Sequence, residues 1–132
     1  IKYVILILSL RWVIKMSNIP REINNIIEEF MKGTKKILGK RMKKIILYGS
    51  YARGDYNKNS DIDIMILTDL SDEEITKYRD KIWEFAYNIE FDNNFDIALS
   101  PLIKNIDKFQ YWLEALPFYM NIQKEGVVLS ES

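Results

Sequence analysis

The sequence predicts one small α/β domain. Two observations lead there. Apolar residues at helical spacing alternate along the chain with short runs rich in β-branched side chains, and no repeat or low-complexity stretch interrupts the order α-β-turn-β-α-β-α. At 132 residues and 48% hydrophobic, the chain can bury one core and falls short of two ordinary domains.

The elements follow in order. Residues 1–15, IKYVILILSLRWVIK, stand apart: the apolar run from Tyr3 to Ile14 contains Arg11, is too short to span a bilayer and lacks a small-residue cleavage site. Met16 precedes a good helix, so residues 1–15 are expected to be a leader of upstream or added sequence, residues 16–132 the domain, and the protein cytoplasmic. After Pro20, Ile23, Ile26, Ile27, Phe30 and Met31 mark one helical face that runs to about Leu38, with Gly39 as its stop. KIILY at 44–48 suits a strand buried on both faces, and IDIMIL at 62–67 is a second strand. Ser71 and Glu74 have capping-box spacing, opening a helix that buries Ile75, Tyr78, Ile82, Phe85 and Ile89. Asn93-Asn94 makes a turn, and Phe95–Leu99 is expected to be a third strand. Asn105 caps a further helix carrying Ile106, Phe109, Leu113 and Leu116, interrupted at Pro117, and Gly126 ends the ordered region before Val127-Val128-Leu129.

Composition removes much chemistry. With no Cys and no His, disulfides, thiol nucleophiles, Cys/His zinc sites and a Ser-His-Asp triad are excluded. Carboxylates, hydroxyls, Lys, Arg or a hard metal remain. Lys+Arg and Asp+Glu both number 19, so no overall bias toward nucleic acid or membrane exists. Residues 32–44 nevertheless carry seven basic side chains and no acid, while residues 69–96 are rich in acids. These read as two solvated helix faces of opposite sign, or as a basic segment that attracts a phosphate-bearing or acidic partner.

The stretch LYGSYARGDYNKNSDIDI, residues 47–64, has three competing readings. A P-loop matches the Gly49–Gly54 separation, but Asp55-Tyr56 replace its Lys and hydroxyl. An EF-hand places Asp55, Asn57, Asn59, Asp61 and Asp63 well, yet Ser60 takes the turn-glycine position and Ile66 the bidentate Glu position. The third reading makes Gly49-Ser50 and Asp61-x-Asp63 two halves of one site. On a strand Asp61 and Asp63 share a face about 6–7 Å apart, while Ile62, Ile64 and Ile66 enter the core. Two such like charges call for a cation, and Mg²⁺ suits oxygen donors completed by substrate phosphates. Asp96, on the expected third strand, is the candidate third acid of a two-metal site; Asp92, in the preceding turn, is the weaker choice. Gly49 lets backbone approach a ligand, a helix starting after it offers N–H groups, Ser50 offers a hydroxyl, and Arg53 lies one turn in. The stretch is thus expected to hold a metal-bound nucleoside triphosphate.

Gly49-Ser50-Tyr51-Ala52-Arg53-Gly54 followed by Ser60-Asp61-Ile62-Asp63-Ile64 resembles the signature of the DNA-polymerase-β-like nucleotidyltransferase superfamily. The likeness is greatest to its minimal branch, single small domains found beside a HEPN-type partner. It covers about residues 20–128, including the closing pattern from Pro117 to Gly126. The resemblance implies a mixed three- to four-stranded sheet packed with helices. It implies metal-binding, catalytic roles for Asp61, Asp63 and Asp96, and nucleotide-binding roles for Gly49, Ser50, Arg53 and Ser60. The activity implied is Mg²⁺-dependent transfer of AMP from ATP to a hydroxyl, with two ions, releasing pyrophosphate. One ion shared by Asp61 and Asp63 would serve the ATP phosphates; a second, also touching Asp96, would activate the acceptor, with Asp96 taking the proton. Resemblance to the minimal branch further implies a tyrosine of a HEPN ribonuclease toxin as the acceptor, and with it an antitoxin role.

No second, acceptor-binding domain is apparent, so a partner is expected to bring the acceptor. The aromatic run FQYWLEALPFYM reads as core plus helix surface, or as that partner's interface. Two rivals stand beside protein adenylylation: an antitoxin acting by contact alone, and nucleotidyl transfer to a small-molecule hydroxyl. DNA and membrane are not expected as partners. Nor is RNA, because no RNA-binding motif accompanies residues 32–44.

Overall fold

The computed structural model describes residues 16–132, and the leader assigned to residues 1–15 lies outside them. Ile23, Ile26, Ile27 and Phe30 share the buried face of the first helix, α1 (Arg21–Leu38), which also buries Thr34 and Leu38. Gly39 stops it at φ 57°, a conformation that favours glycine. A single 3₁₀ turn, Gly39–Arg41, leads into β1 (Met42–Tyr48). One helical turn, α2 (Ser50–Arg53), and a loop precede β2 (Ile62–Thr68). Then come α3 (Asp72–Asp92), β3 (Leu99–Asn105), α4 (Ile106–Trp112), α5 (Pro117–Glu125) and β4 (Val127–Glu131). The capping box is present: Glu74 N–H donates to the Ser71 hydroxyl, and Ser71 N–H to the Glu74 carboxylate.

The four strands form one mixed sheet in the order β3-β2-β1-β4. β1 runs antiparallel to β2 and to β4, while β2 and β3 are parallel. One face of the sheet packs Ile45, Leu47, Ile62, Ile64 and Ile66 against α1 and α3. The other packs Ile46, Met65 and Leu67 against Phe109 of α4 and Ile122 of α5. Ile62, Ile64 and Ile66 are fully buried, and each contributes about 1.5–3 kcal/mol by burial. A one-residue slip of β2 would turn all three away from that core and bring Asp63 into it. The pattern that builds the core therefore also aims Asp63 at the opposite face, with Asp61 just before the strand.

Three expectations need correction. The third strand does not occupy Phe95–Leu99; it begins at Leu99. Asn94 and Phe95 both have positive φ, 57° and 58°, which turns the backbone back on itself and prevents pairing there. β3 instead carries Pro101, tolerated because β3 is an edge strand. Pro117 opens α5 rather than only ending α4, a favoured first-turn position. Gly126 is not the end of order, since β4 follows and pairs with β1. A Cβ on Gly126 would lie 2.4 Å from the Ile122 carbonyl oxygen and 2.5 Å from Ile46 Cγ2, so glycine allows α5 to seat against β1.

Candidate active site

Tyr48, the last residue of β1, pairs with Asp63 of β2. The next residue, Gly49, has φ 77° and ψ −156°, a region essentially reserved for glycine. A Cβ at Gly49 would lie 2.3 Å from Asp63 Oδ2. The Gly49 backbone therefore rests directly on the Asp63 carboxylate, and the two halves of the 47–64 stretch meet. Arg53 N–H donates to the Gly49 carbonyl at 3.0 Å, and Gly54 N–H to the Ser50 carbonyl at 2.8 Å. The N–H groups of Ser50, Tyr51 and Ala52 precede the first of these helical bonds and are not used by the helix. Gly54 closes the turn at φ 94°.

The connecting loop is fixed from within. Asn57 N–H donates to the Ser60 hydroxyl at 2.9 Å, Ser60 N–H to the Asn57 carbonyl at 3.1 Å, and Asn59 N–H to the Asn57 side-chain carbonyl at 2.8 Å. Ser60 thus holds the loop in shape immediately before Asp61. Tyr56 stacks on Tyr51 at 4.6 Å, and its hydroxyl donates to the Asn18 carbonyl at 3.1 Å. This ties the loop back to α2 and to the segment before α1.

The electrostatics are those of an acid pair seeking a counterion. Burial, then the neighbouring Asp61 charge, raises the pKa of Asp63, and the Arg53 guanidinium opposes them weakly. Among the described residues neither carboxylate makes a hydrogen bond or ion pair of its own. Arg53 is instead held by Asp55 at 3.3 Å and Glu125 at 3.5 Å. Burial and the Asp63 charge push the Tyr48 phenol up to about 12, so it stays protonated beside the pair. The chemistry of this donor set fits a hard divalent cation: the Asp63 carboxylate on β2 and the Asp61 carboxylate just before the strand, like charges two residues apart, with Ser50 and the backbone N–H groups that follow Gly49 available for phosphate.

Asp96 is not brought to the pair. The parallel register sets Leu99 beside Ile62 and Ser100 beside Asp63, and Ile62 N–H donates to the Ala98 carbonyl at 2.8 Å. Asp96 lies exposed in the turn before β3, its N–H donating to the Asn93 carbonyl at 3.1 Å. Asp92 ends α3. Among the described residues no group of three acids is placed to hold a metal ion. Three neighbours of the site lie outside the sequence motifs: Tyr48, Ser100 and Glu125. Tyr48 was legible as the last residue before Gly49; Ser100 and Glu125 depend on pairings that no local signal announces.

The model of the nucleotidyltransferase domain matches residues 22–129, and the chain belongs to this family. Two relatives from Methanocaldococcus jannaschii carry the name "Putative protein adenylyltransferase". One is 40% identical over 82 residues, covering 62% of this chain and 79% of its own. The other is 33% identical over 107 residues, covering 78% and 93%. Among solved structures, a toxin–antitoxin with AMP-PNP aligns at TM-score 0.48 and 20% identity, over 82% of this chain and 73% of the other. A mutant of the toxin–antitoxin MntA-HpeT aligns at TM-score 0.44 and 19% identity, over 76% and 73%. Among the described residues no helix is long and apolar enough to cross a membrane.

Proposed function

We propose that this nucleotidyltransferase moves AMP from ATP to a hydroxyl of a protein partner, a tyrosine of a HEPN-type ribonuclease toxin, and thereby acts as an antitoxin. The observation that supports the reading is the seating of the Gly49 backbone on the Asp63 carboxylate, which brings the turn proposed to bind phosphate against the acids proposed to bind the cation. The relatives' shared name supports protein as the acceptor class.

In this reading the Ser50 hydroxyl and the N–H groups of Ser50 to Ala52 bind the β- and γ-phosphates. Asp61 and Asp63 would hold the divalent cation, Mg²⁺, which when bound would supply positive charge for the departing pyrophosphate and lower the pKa of the acceptor hydroxyl. Arg53 adds positive charge at the phosphate end. The acceptor oxygen bonds to the α-phosphorus as the bond from that phosphorus to the bridging oxygen breaks, and pyrophosphate leaves. The hydroxyl proton passes to a carboxylate or to water. The role expected of Asp96, third ligand and proton acceptor, requires the Asn93–Ile97 turn to close on the pair. Asp96→Asn measures it: a loss of transfer as deep as that of Asp63→Asn assigns the role, and retained transfer leaves the chemistry to Asp61 and Asp63.

The test is the intact mass of the toxin after incubation with this protein, ATP and Mg²⁺. An increment of one or more AMP units, absent with Asp63→Asn, is expected. An unmodified toxin that is still neutralised by contact would replace the catalytic reading with a binding one.

A further inference from the structure

The outer face of α3 carries an aromatic strip that the fold does not use. Trp83, Tyr87 and Phe91 follow at four-residue spacing, 45%, 56% and 62% exposed. Residues so spaced lie one above another along a helix. Beyond the helix end the chain bends so that Phe95, 54% exposed, returns to the same strip, its ring 5.6 Å from that of Tyr87 and 5.9 Å from that of Phe91. Phe95 holds a φ of 58°, a conformation unfavourable for a bulky residue, and it places one more aromatic ring in solvent. With side chains of this size, the four rings expose on the order of 400 Å². Apolar patches of that extent are often functional.

Charge selects the occupant. From Ile82 to Ile103 the sequence has no Lys or Arg, and Glu84, Glu90, Asp92 and Asp96 lie in this stretch. A second copy of the strip would oppose acid to acid across a twofold interface, and nucleic acid or anionic lipid would be repelled. A protein surface with aliphatic side chains flanked by Lys and Arg is complementary, its cations also suited to the ring faces. Position selects the purpose. Phe95 is three residues from Ala98, whose carbonyl accepts from Ile62 N–H between Asp61 and Asp63. The strip therefore ends within about 10 Å of chain from the acid pair.

We infer that the Trp83–Tyr87–Phe91–Phe95 strip docks the acceptor protein through a basic, aliphatic helix and so delivers its hydroxyl to the site. The inference rests on the reading of this chain as a protein adenylyltransferase.

Two measurements test it. The first needs no catalysis: hydrogen exchange of the full chain with a helical leucine–lysine peptide and a leucine–glutamate peptide of equal length. The leucine–lysine peptide is expected to protect residues 83–96 and to bind at least tenfold more weakly to Trp83→Ser and Phe91→Ser; the leucine–glutamate peptide is expected not to bind. Equal binding of both peptides, or protection elsewhere, overturns the inference. The second measures transfer to the acceptor. Both variants should raise KM for the acceptor at least tenfold with KM for ATP unchanged, and Phe95→Gly should do so without loss of thermal stability. Unchanged acceptor KM in all three overturns the docking surface and leaves the catalytic reading standing. Absence of transfer by the unmodified chain, with the leucine–lysine peptide bound at the strip, refutes the catalytic reading and retains the surface.

Discussion

Replacing Gly49 by Ala tests the junction on which the site depends. The substitution meets two costs of different origin. The backbone at φ 77°, ψ −156° is available to glycine and strained by about 1–3 kcal/mol for other residues. The new Cβ would also fall 2.3 Å from Asp63 Oδ2 and 3.2 Å from its Cγ, and such overpacking typically costs about 1–3 kcal/mol. Together they amount to roughly 2–6 kcal/mol, a large share of the 5–15 kcal/mol that holds an ordinary domain. The two costs can be separated. Asp63→Ala removes Oδ2 and Cγ and leaves the Asp63 Cβ at 3.4 Å, an ordinary contact, while the backbone strain remains. Urea unfolding of Gly49→Ala, Asp63→Ala and the double variant at pH 7 should therefore show the double variant about 1–3 kcal/mol more stable than additivity allows. Strict additivity would mean that Gly49 and Asp63 do not touch, and the joined site would be refuted.

Other consequences can be measured on the same preparation. Asp61 directly precedes β2 and Asp63 lies two residues on, a spacing of about 6–7 Å in extended backbone; because Asp61 is exposed, the screened repulsion is roughly 0.6–1 kcal/mol at neutral pH. Asp63→Asn should thus raise the melting temperature by about 2–4 °C in the absence of nucleotide while removing transfer. Because the folded-state pKa of Asp63 is raised, its favourable contribution is complete below its ordinary value of 3.8 and is lost as pH rises through the folded value. The stability gain of Asp63→Asn should accordingly vanish in acid. Glu74 behaves in the opposite sense. The Arg41 guanidinium, bonded to it at 2.8 and 3.1 Å, holds its carboxyl down to about 2, so its contribution is present above 4.5 and lost as pH falls toward 2. Arg41→Met should flatten the melting-temperature profile between those limits. Gly126→Ala places a Cβ on the Ile122 carbonyl oxygen and should destabilise by about 1–3 kcal/mol with ATP affinity unchanged.

What the sequence discloses follows the range of the forces involved. α1, β1, β2 and the capped start of α3 are written in local patterns: helical spacing with a glycine stop, β-branched runs, and the Ser71–Glu74 box. The Gly49-Ser50 and Asp61–Asp63 halves were legible for the same reason, each bounding a buried strand. β3 was displaced because Phe95-Asp96-Ile97 has the alternation of a strand, whereas the positive φ of Asn94 and Phe95 comes from closure of the chain after α3. The observed β3 hides its signal behind Pro101, Lys104 and Asn105, which only an edge strand tolerates. β4 is short and buries chiefly Val127, so its existence depends on β1 offering a free edge. The same alternation sets Asp96 on a strand, whereas it lies in the turn before β3. Arg53 pairing with Glu125, 72 residues away, lies beyond any local reading.

Amide NMR with Mn²⁺ in place of Mg²⁺, recorded with and without a non-hydrolysable ATP analogue, addresses the joined site most directly. Paramagnetic broadening should centre on residues 61–63 and extend to Gly49 and Ser50, deepen when the analogue is added, and disappear in Asp63→Asn. Broadening centred elsewhere, or indifferent to Asp63, would show that these carboxylates and that turn do not hold a metal–nucleotide between them.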